Sequence, residues 1–356
     1  MPRETVASFD VEKVQVLDAD GTVDEDLLPD LSDDDLLAMY RLMKRSRRLD
    51  RKAISLQRRG EIGTYAPAIG QEAAQVGSAY ALQDEDWMVP SFREQPAYLT
   101  RGVPMHALLW YAMGMEEAGE PSGNDMPPAI PVGSQTLHAA GLGWAQQITG
   151  EEAATLVYFG DGATSEGDAN EALNFAGVFD AHTVFLCQNN QYAISVPRDK
   201  QTDAATLAQK AIGQGVDCLQ VDGNDVLGVY RVTEQALQQA RDGTPTMIEA
   251  VTYRQSMHTT SDDPSVYRDE EEAEEWKKKD PIDRFRNYLE DEGVLDDDTI
   301  EEMEADIEDE VAEEVETAKA GEADVDPADM FEHVYDEMPP ELEQQLQELR
   351  EVEQDG

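Results

Sequence analysis

Apolar and polar positions along the middle of the chain predict strands and helices in alternation. Four short apolar runs have the length and composition of buried strands, and segments with helical spacing of apolar residues separate them. The predicted strands are residues 154–159, 183–188, 218–221 and 246–251, and the predicted helices are residues 167–179, 202–213 and 226–241. This order predicts an α/β fold with a parallel sheet and helices on both faces.

The segments on either side of this core have a different character. Ser32 is a helix cap before apolar residues with helical spacing, and the predicted helix continues through the basic segment 44–59. That basic face either contacts something acidic or is a solvated helix face. Further helices are predicted at 70–81, 108–115 and 134–148, with a short strand at 87–92. We expect an extended N-terminal arm (1–31), a central domain (32–268) and an acidic, mostly helical C-terminal extension (269–356).

The net charge narrows the possible partners. The chain has 27 basic and 77 acidic residues, a net charge of −50, which argues against binding to nucleic acid or to an anionic membrane surface. No apolar run approaches the length of a bilayer span, and residues 1–10 lack the pattern of a secretory signal. Its two cysteines cannot form a disulfide framework or a zinc site. We therefore expect a cytoplasmic protein.

The acidic excess is spread over the whole chain rather than confined to its tail. Surplus surface carboxylates repel one another at low salt, and halophilic proteins carry such an excess because concentrated salt screens the repulsion. The pattern favours a halophilic source over an ordinary protein with an acidic tail.

Two predicted strands end in residues that carry chemistry. The first runs into Gly160, Asp161 and Gly162, and the second ends just before Asn190, 29 positions after Asp161. One β-α-β unit fits between them, so both side chains are expected side by side at the carboxyl edge of the sheet. A carboxylate and an amide oxygen suit Mg²⁺, while glycine N–H groups and the start of the helix near Gly167 suit an anion. The sequence predicts a site for Mg²⁺ and a diphosphate.

Residues 160–197 resemble the alpha subunit of the thiamine diphosphate-dependent 2-oxo acid dehydrogenases. These are the decarboxylating first components of the pyruvate and branched-chain 2-oxo acid dehydrogenase complexes. The resemblance covers most of the chain, residues 32–340, and the SEGD, NNQYAIS and TSDD segments look closest to the branched-chain type. Other matching segments are 70–72, 92–93, 132–135, 221–225, 253–254, 258–263, 267–268 and 334–339.

The resemblance implies a thiamine diphosphate-binding fold and a role for each matching residue. Mg²⁺ would be bound by the Asp161 carboxylate, the Asn190 amide oxygen and the Tyr192 carbonyl. Arg93 would pair with the diphosphate, and Phe92 stands where the family usually has tyrosine. The implied cofactor-binding residues are Phe92, Arg93, Val132, Gly160, Asp161, Gly162, Ala163, Asn190, Tyr192 and His258.

The segment around His258 carries the implied catalytic residue. By resemblance, His258 holds the diphosphate and helps acylate a lipoyl group; the ordinary alternative is a solvated loop histidine. Thr259 aligns with a regulatory phosphorylation site of mitochondrial members, and Tyr267 and Arg268 are expected to anchor this loop. A potassium-binding loop of branched-chain members aligns with Pro131, Ser134 and Gln135.

The resemblance also implies partners. In the family, the glutamate that activates the cofactor belongs to a beta subunit, so this chain is expected to supply half of an active site in an α₂β₂ heterotetramer. The other implied partners are a 2-oxo acid and the lipoyl domain of an acyltransferase. An interface would explain the helices predicted at 108–115 and 134–148, as would core packing. An acetoin dehydrogenase subunit and a non-catalytic protein of the same fold remain alternatives. A plain nucleotide-binding protein is disfavoured, because the sequence has neither a GxGxxG motif nor a P-loop after a strand.

Overall fold

A computed structural model describes residues 3–115, 123–321, 326, 328–332 and 334–355 of the chain. Within them, six parallel strands form one sheet in the order β1-β7-β8-β4-β3-β2, and β5 and β6 form a separate antiparallel hairpin. The strands are β1 (Glu12–Val14), β2 (Trp87–Val89), β3 (Thr155–Gly160), β4 (Thr183–Asn189), β5 (Tyr192–Ala193), β6 (Val196–Pro197), β7 (Asp217–Asp222) and β8 (Thr246–Val251).

Thirteen α-helices occur in the described residues. They are α1 (Asp33–Arg58), α2 (Glu72–Tyr80), α3 (Gln95–Thr100), α4 (Met105–Met113), α5 (Ser134–Thr149), α6 (Gly167–Phe179), α7 (Gln209–Ile212), α8 (Val226–Arg241), α9 (Glu270–Lys277), α10 (Pro281–Asp291), α11 (Asp297–Gly321), α12 (Asp329–Glu332) and α13 (Pro340–Asp355). None of these described helices has the combined length and apolar character that a membrane span requires.

The central strands are apolar on both faces because helices cover both. Along β3, Leu156 and Tyr158 belong to one buried cluster, while Val157 and Phe159 belong to another. Successive side chains of a strand point to opposite faces, so the two clusters are the cores on the two sides of the sheet. The predicted α/β fold with a helix-covered parallel sheet is confirmed.

The structure differs from the sequence-based prediction in three segments. Strand β1 adds an edge strand to the sheet from within the predicted N-terminal arm, and it pairs with β7. Helix α3 was not predicted. The helix predicted at 202–213 is wrong in length, because only Gln209–Ile212 is α-helical. The N–H groups of Leu207 and Ala208 instead donate to the buried carboxylate of Glu249 on β8.

The basic segment of α1 has an acidic partner within the same chain. Helix α1 packs against α11, the long acidic helix of the C-terminal region. The ion pairs between the two helices are Arg41–Asp306, Arg41–Glu310, Lys44–Glu304, Arg45–Glu310 and Arg48–Glu308. The acidic contact considered from the sequence is therefore α11, which covers this face of the domain.

Helix α4 is also covered by α11. The Trp110 indole N–H donates to the Ala318 carbonyl at 3.0 Å, and Nδ1 of His106 lies 2.9 Å from Oε2 of Glu314. The sequence left two explanations for the apolar segment 108–115, a partner interface or packing within the chain. The side of α4 that contacts α11 is explained by packing within the chain.

Candidate active site

The predicted pair of polar residues lies at one edge of the sheet. Strands β3 and β4 are neighbours, with Gly160 opposite Gln188, so both strands end at the same edge. Asp161 follows β3 directly and is 1% exposed, and Asn190 follows β4 directly and is 7% exposed. The structure therefore brings the two side chains to one buried place, as the spacing in the sequence predicts.

The turn after β4 has an unusual backbone. Gln191 and Ile194 have φ values of 75° and 57°, in the left-handed region that non-glycine residues rarely adopt. The Tyr192 N–H donates to Oδ1 of Asn190 at 3.4 Å, and Nη1 of Arg254 donates to the Tyr192 carbonyl at 3.1 Å. These contacts hold the Tyr192 backbone beside Asn190. Such local strain is characteristic of functional sites.

The turn after β3 approaches this hairpin closely. Residues Asp161–Ser165 form a 3₁₀ turn, after which α6 begins at Gly167. A Cβ atom at Gly162 would lie 2.9 Å from Cβ of Ala193, closer than such atoms approach in proteins. Glycine is therefore required at 162 for the two loops to meet.

A cavity of about 230 Å³ lies between these loops. It is lined by every residue that the sequence predicts to bind the cofactor. These are Phe92, Arg93, Val132, Gly160, Asp161, Gly162, Ala163, Asn190, Tyr192 and His258. The lining residues without a predicted role are Gln71, Ser91, Glu94, Glu166, Gln188, Ala193, Ile194 and Arg254; Gln135, predicted for potassium, also lines the cavity.

Arg254 lies in the matching segment 253–254, but the sequence analysis gave it no role, and it is the most informative of the lining residues without one. Its side chain is 1% exposed, and Nη2 donates to the Ile194 carbonyl at 2.6 Å and to the Tyr267 hydroxyl at 3.0 Å. It lies three residues beyond the end of β8, which is paired with β4. The signal that identified Asp161 and Asn190, a polar residue at the carboxyl edge of the sheet, also applies to Arg254.

Three cationic or potentially cationic side chains crowd one side of the cavity. Nη2 of Arg93 lies 3.0 Å from Nδ1 of His258, and Nη1 of Arg254 lies 3.5 Å from the same atom. Burial, reinforced by the charge of Arg254, lowers the pKa of Arg93 to about 10. Burial and the two guanidinium charges lower the pKa of His258 to about 4. The histidine is therefore neutral at pH 7, and the site favours an anion.

The tautomer of His258 follows from its neighbours. Guanidinium nitrogens only donate hydrogen bonds, so Nδ1 of the neutral ring accepts from Arg93 and the ring proton is on Nε2. The His258 N–H donates to Asp262, which also accepts from the Tyr267 hydroxyl at 2.6 Å. Arg268 donates to two carbonyls in the segment, at 2.7 Å each. Tyr267 and Arg268 thus contact the His258 loop as expected.

The donor set of the cavity fits a divalent cation and a diphosphate. The Asp161 carboxylate, whose pKa is raised by burial, accepts from Nε2 of Gln201 at 2.5 Å. Among the lining residues, the buried polar atoms without a partner include Nε2 of Gln71, Oε1 of Gln135 and Nε of Arg254. Since buried polar groups normally have partners, these atoms indicate a polar ligand. The described residues hold no cluster of three or more His, Cys, Asp or Glu suited to a metal.

Of the three residues predicted to bind potassium, only Gln135 lines the 230 Å³ cavity. The Ser134 hydroxyl donates to the Pro131 carbonyl at 2.9 Å, and neither residue lines the 230 Å³ cavity. Nε2 of Gln135 donates to the Tyr158 carbonyl at 2.9 Å, while its Oε1 is buried without a partner. Gln135 thus offers a free buried oxygen near this loop.

A larger cavity of about 650 Å³ adjoins the first. The two share Phe92, Glu94, Val132 and His258 as lining residues, so the His258 ring faces both spaces. The remaining lining is mostly apolar and includes Tyr98, Val103, Leu108, Met113 and Ile130. The site therefore combines a polar chamber with an apolar chamber at its side.

Comparisons with known proteins identify the family of the chain. Residues 40–325 match the family described as dehydrogenase E1 component. The chain is 43% identical over 354 residues to the 3-methyl-2-oxobutanoate dehydrogenase subunit alpha of Mycobacterium tuberculosis (strain ATCC 25618 / H37Rv), covering 98% of this chain and 96% of the relative. It is 42% identical over 351 residues to the pyruvate dehydrogenase E1 component subunit alpha of Staphylococcus aureus (strain COL), covering 96% and 94%. The predicted kinship with the alpha subunits of 2-oxo acid dehydrogenases is confirmed, and the chain belongs to the dehydrogenase E1 component family.

Proposed function

We propose that the chain is the alpha subunit of a 2-oxo acid dehydrogenase and supplies the diphosphate-binding half of a thiamine diphosphate site. The observation that carries the proposal is the meeting of Asp161 and Asn190 at the ends of neighbouring parallel strands, in a cavity where the guanidiniums of Arg93 and Arg254 flank His258. Family membership supports the cofactor, since the E1 dehydrogenases depend on thiamine diphosphate in general.

Different residues of this chain would bind the Mg²⁺ ion and the diphosphate of the cofactor. Asp161, the Asn190 amide oxygen and the Tyr192 carbonyl would hold Mg²⁺, which prefers oxygen ligands. The guanidiniums of Arg93 and Arg254 would pair with diphosphate oxygens in charge-assisted hydrogen bonds. His258, protonated on Nε2, would donate from that nitrogen. Phe92 and Val132 would exclude water where the polar and apolar chambers join. Thiamine diphosphate, when bound, would supply the electron sink that decarboxylation of a 2-oxo acid requires.

Two finer assignments belong to the same proposal. Pro131, Ser134 and Gln135 would form a potassium site, a role supported by the buried, unpartnered Oε1 of Gln135. Acyl transfer to the lipoyl domain of an acyltransferase would take place beside His258, which faces the larger cavity. Both cysteines are free, which accords with the reducing cytoplasm as the location.

The missing half of the site would come from a beta subunit. Glu94, the buried glutamate that faces both chambers, is already engaged, since it accepts from Gln188 and from the Arg93 N–H. Exposed apolar side chains occur at the two cavities (Ile130, Val132 and Ile194), on β6 (Val196) and on helices α5 and α6 (Trp144, Ile148, Phe175 and Val178). Such exposed apolar surface supports a large partner chain.

The substrate would be a 2-oxo acid. The relatives are named for 3-methyl-2-oxobutanoate and for pyruvate, and the apolar chamber has room for either side chain. An acetoin dehydrogenase subunit is the alternative within the enzyme class. A non-catalytic protein is disfavoured, because every implied cofactor-binding residue lines one cavity.

The test is an activity assay on the complex purified with its partner chain in concentrated KCl. Oxidation of pyruvate, branched-chain 2-oxo acids and acetoin would be followed with an artificial electron acceptor, with and without thiamine diphosphate. We expect cofactor-dependent oxidation of a 2-oxo acid that requires both chains. Activity on acetoin alone would select the alternative, and a purified complex inactive on all of them would contradict the proposal.

A further inference from the structure

We infer that Glu249, a carboxylate buried in the sheet, is the positioning residue that holds the two sides of the Mg²⁺ site in register; this inference rests on the proposed function. Glu249 lies on β8 beside Cys187 of β4 and is 1% exposed. It does not line the cavity and touches neither Asp161 nor Asn190 directly. Its effect on the site is transmitted through hydrogen bonds.

One branch of hydrogen bonds leads from Glu249 to the turn after β4. Oε1 of Glu249 accepts from Nδ2 of Asn189 at 2.7 Å. This bond fixes the Asn189 amide so that its Oδ1 accepts from Nε2 of Gln191 at 3.1 Å. Gln191 has the left-handed φ of 75° noted above. The branch therefore holds the residues on either side of Asn190 and stabilises the strained backbone that presents Asn190 and Tyr192.

A second branch leads to the turn after β3. Oε2 of Glu249 accepts from the N–H groups of Leu207 and Ala208 at 2.8 and 3.0 Å. These residues precede α7, whose Lys210 donates from Nζ to the carbonyl and hydroxyl of Thr164 at 2.9 and 2.8 Å.

Thr164 completes the second branch. Its hydroxyl donates to the main-chain carbonyl of Asp161 at 2.7 Å. The same buried carboxylate thus reaches both proposed Mg²⁺ ligand loops, one through Asn189 and one through Lys210.

Glu249 accepts hydrogen bonds at both of its carboxyl oxygens. Three N–H groups point at its two oxygens, so a neutral amide at this position would place an NH₂ group against one or more of these donors. A buried carboxylate without a cation as partner is costly, and its three hydrogen bonds offset that cost. Outer residues that orient metal ligands typically change metal affinity 10- to 100-fold when they are replaced.

The chain offers a matched control in Asp225. This carboxylate is equally buried and likewise accepts from three N–H groups, which here are all main-chain, those of Val16, Leu17 and Gly228. It fastens the N-terminal segment and caps α8, and it does not line the cavity. Asp225→Asn therefore reports the cost of losing a buried carboxylate without any connection to the ligand loops.

The experiment uses the cofactor-free complex with its partner chain. Mg²⁺ is titrated at saturating thiamine diphosphate, and binding is followed by calorimetry. For Glu249→Gln we expect the half-saturating Mg²⁺ concentration to rise about 10- to 100-fold, with partial rescue in Glu249→Asp. Asp225→Asn is expected to lower the melting temperature but to leave the Mg²⁺ dependence unchanged. Equal Mg²⁺ dependence in wild type and Glu249→Gln, or equal shifts in Glu249→Gln and Asp225→Asn, would overturn the inference.

Two further measurements separate this inference from the proposed function. Hydrogen exchange of the cofactor-free complex should be faster in Glu249→Gln at residues 189–192 and 207–208, whatever the ligand is. Lys210→Met should raise the half-saturating Mg²⁺ concentration through the second branch alone, and it serves if Glu249→Gln does not fold; a wild-type Mg²⁺ dependence in Lys210→Met would then contradict the inference. If wild type binds thiamine diphosphate without any need for Mg²⁺, the proposed metal site itself fails.

Discussion

Charge is arranged in opposite ways in two regions of this molecule. Between α1 and α11, basic side chains face carboxylates, and five ion pairs join the two helices. In the cavity at the carboxyl edge of the sheet, Arg93 and Arg254 both approach His258. The cavity carboxylates Asp161 and Glu94 are engaged by the side-chain amides of Gln201 and Gln188.

The difference separates a contact whose charges are paired within the folded chain from a cavity whose charges would be paired by a ligand. At the contact between the two helices, the basic side chains of α1 that form the five ion pairs already have carboxylate partners within the chain. The cavity buries like charges together, which costs free energy unless an anion is supplied from outside. In a chain of net charge −50, two buried guanidiniums on one side of a cavity are a specific feature, and they support an anionic cofactor.

We expect the largest effect when one arginine is substituted in each region and thiamine diphosphate affinity is compared. Loss of the Arg93 guanidinium in Arg93→Met removes a charged hydrogen bond of about 1.5–3 kcal/mol, so thiamine diphosphate affinity should fall about 10- to 100-fold. Arg48→Met removes only the exposed pair with Glu308 and should leave the affinity unchanged. Calorimetric titration of both variants checks this; equal affinities would contradict the division of roles.

The pKa of His258 sharpens the comparison. In the cofactor-free protein, NMR should find this pKa near 4, and inorganic pyrophosphate should raise it by neutralising the two guanidiniums. Because the pKa is lower in the folded than in the unfolded chain, the unfolded state takes up the proton first as pH falls. The free energy of unfolding should therefore decrease between about pH 6.5 and 4. His258→Asn assigns the signal, and a pKa near 6.5 without ligand would contradict the crowded positive site.

Salt should act on the acidic surface more strongly than on the helix pair. Screening shortens to about 3 Å at molar salt, which relieves repulsion among the surplus carboxylates and also weakens the exposed ion pairs. Because acidic residues outnumber basic ones by far, we expect the melting temperature to rise between 0.1 and 2 M KCl. Calorimetry at several KCl concentrations measures this, and an insensitive or falling melting temperature would argue against salt adaptation.

The smallest expected effect lies within the helix pair. Glu310 receives both Arg41 and Arg45, and all three side chains are partly exposed. Glu310→Gln should lower the free energy of unfolding by only about 0.2–1 kcal/mol, because solvent screens such pairs. Urea unfolding at low salt measures the loss, and Glu308→Gln provides a comparison with a single pair. A loss of several kcal/mol would mean that the pairs, rather than the apolar contacts, hold α11 in place.

The sequence predicted much of the sheet and of the site because both depend on local signals. Runs of apolar residues in β3 and β4 mark buried strands, and glycines mark the turn that follows. With parallel order, the positions of Asp161 and Asn190 then follow from topology alone. The same rule would have found Arg254 after β8. The family resemblance added the roles of Arg93 and His258.

The features of the fold and the site that the sequence did not predict depend on contacts between distant segments. Glu249 and Asn189 are 60 residues apart, and Gln201 reaches Asp161 across 40 residues, so no local pattern links either pair. Residues 202–208 have helical spacing but are not α-helical. In this segment, the N–H groups of Leu207 and Ala208 donate to Glu249. Tertiary hydrogen bonds overrode local propensity there.

The most direct test of the account is the Mg²⁺ dependence of cofactor binding in Asp161→Ala. Thiamine diphosphate would be titrated calorimetrically into the cofactor-free complex of this chain and its partner, with and without Mg²⁺, for wild type and for the variant. We expect wild type to bind only with Mg²⁺, and Asp161→Ala to lose this binding while its circular dichroism is retained. Undiminished Mg²⁺-dependent binding in Asp161→Ala would show that the cavity at the ends of β3 and β4 is not the cofactor site.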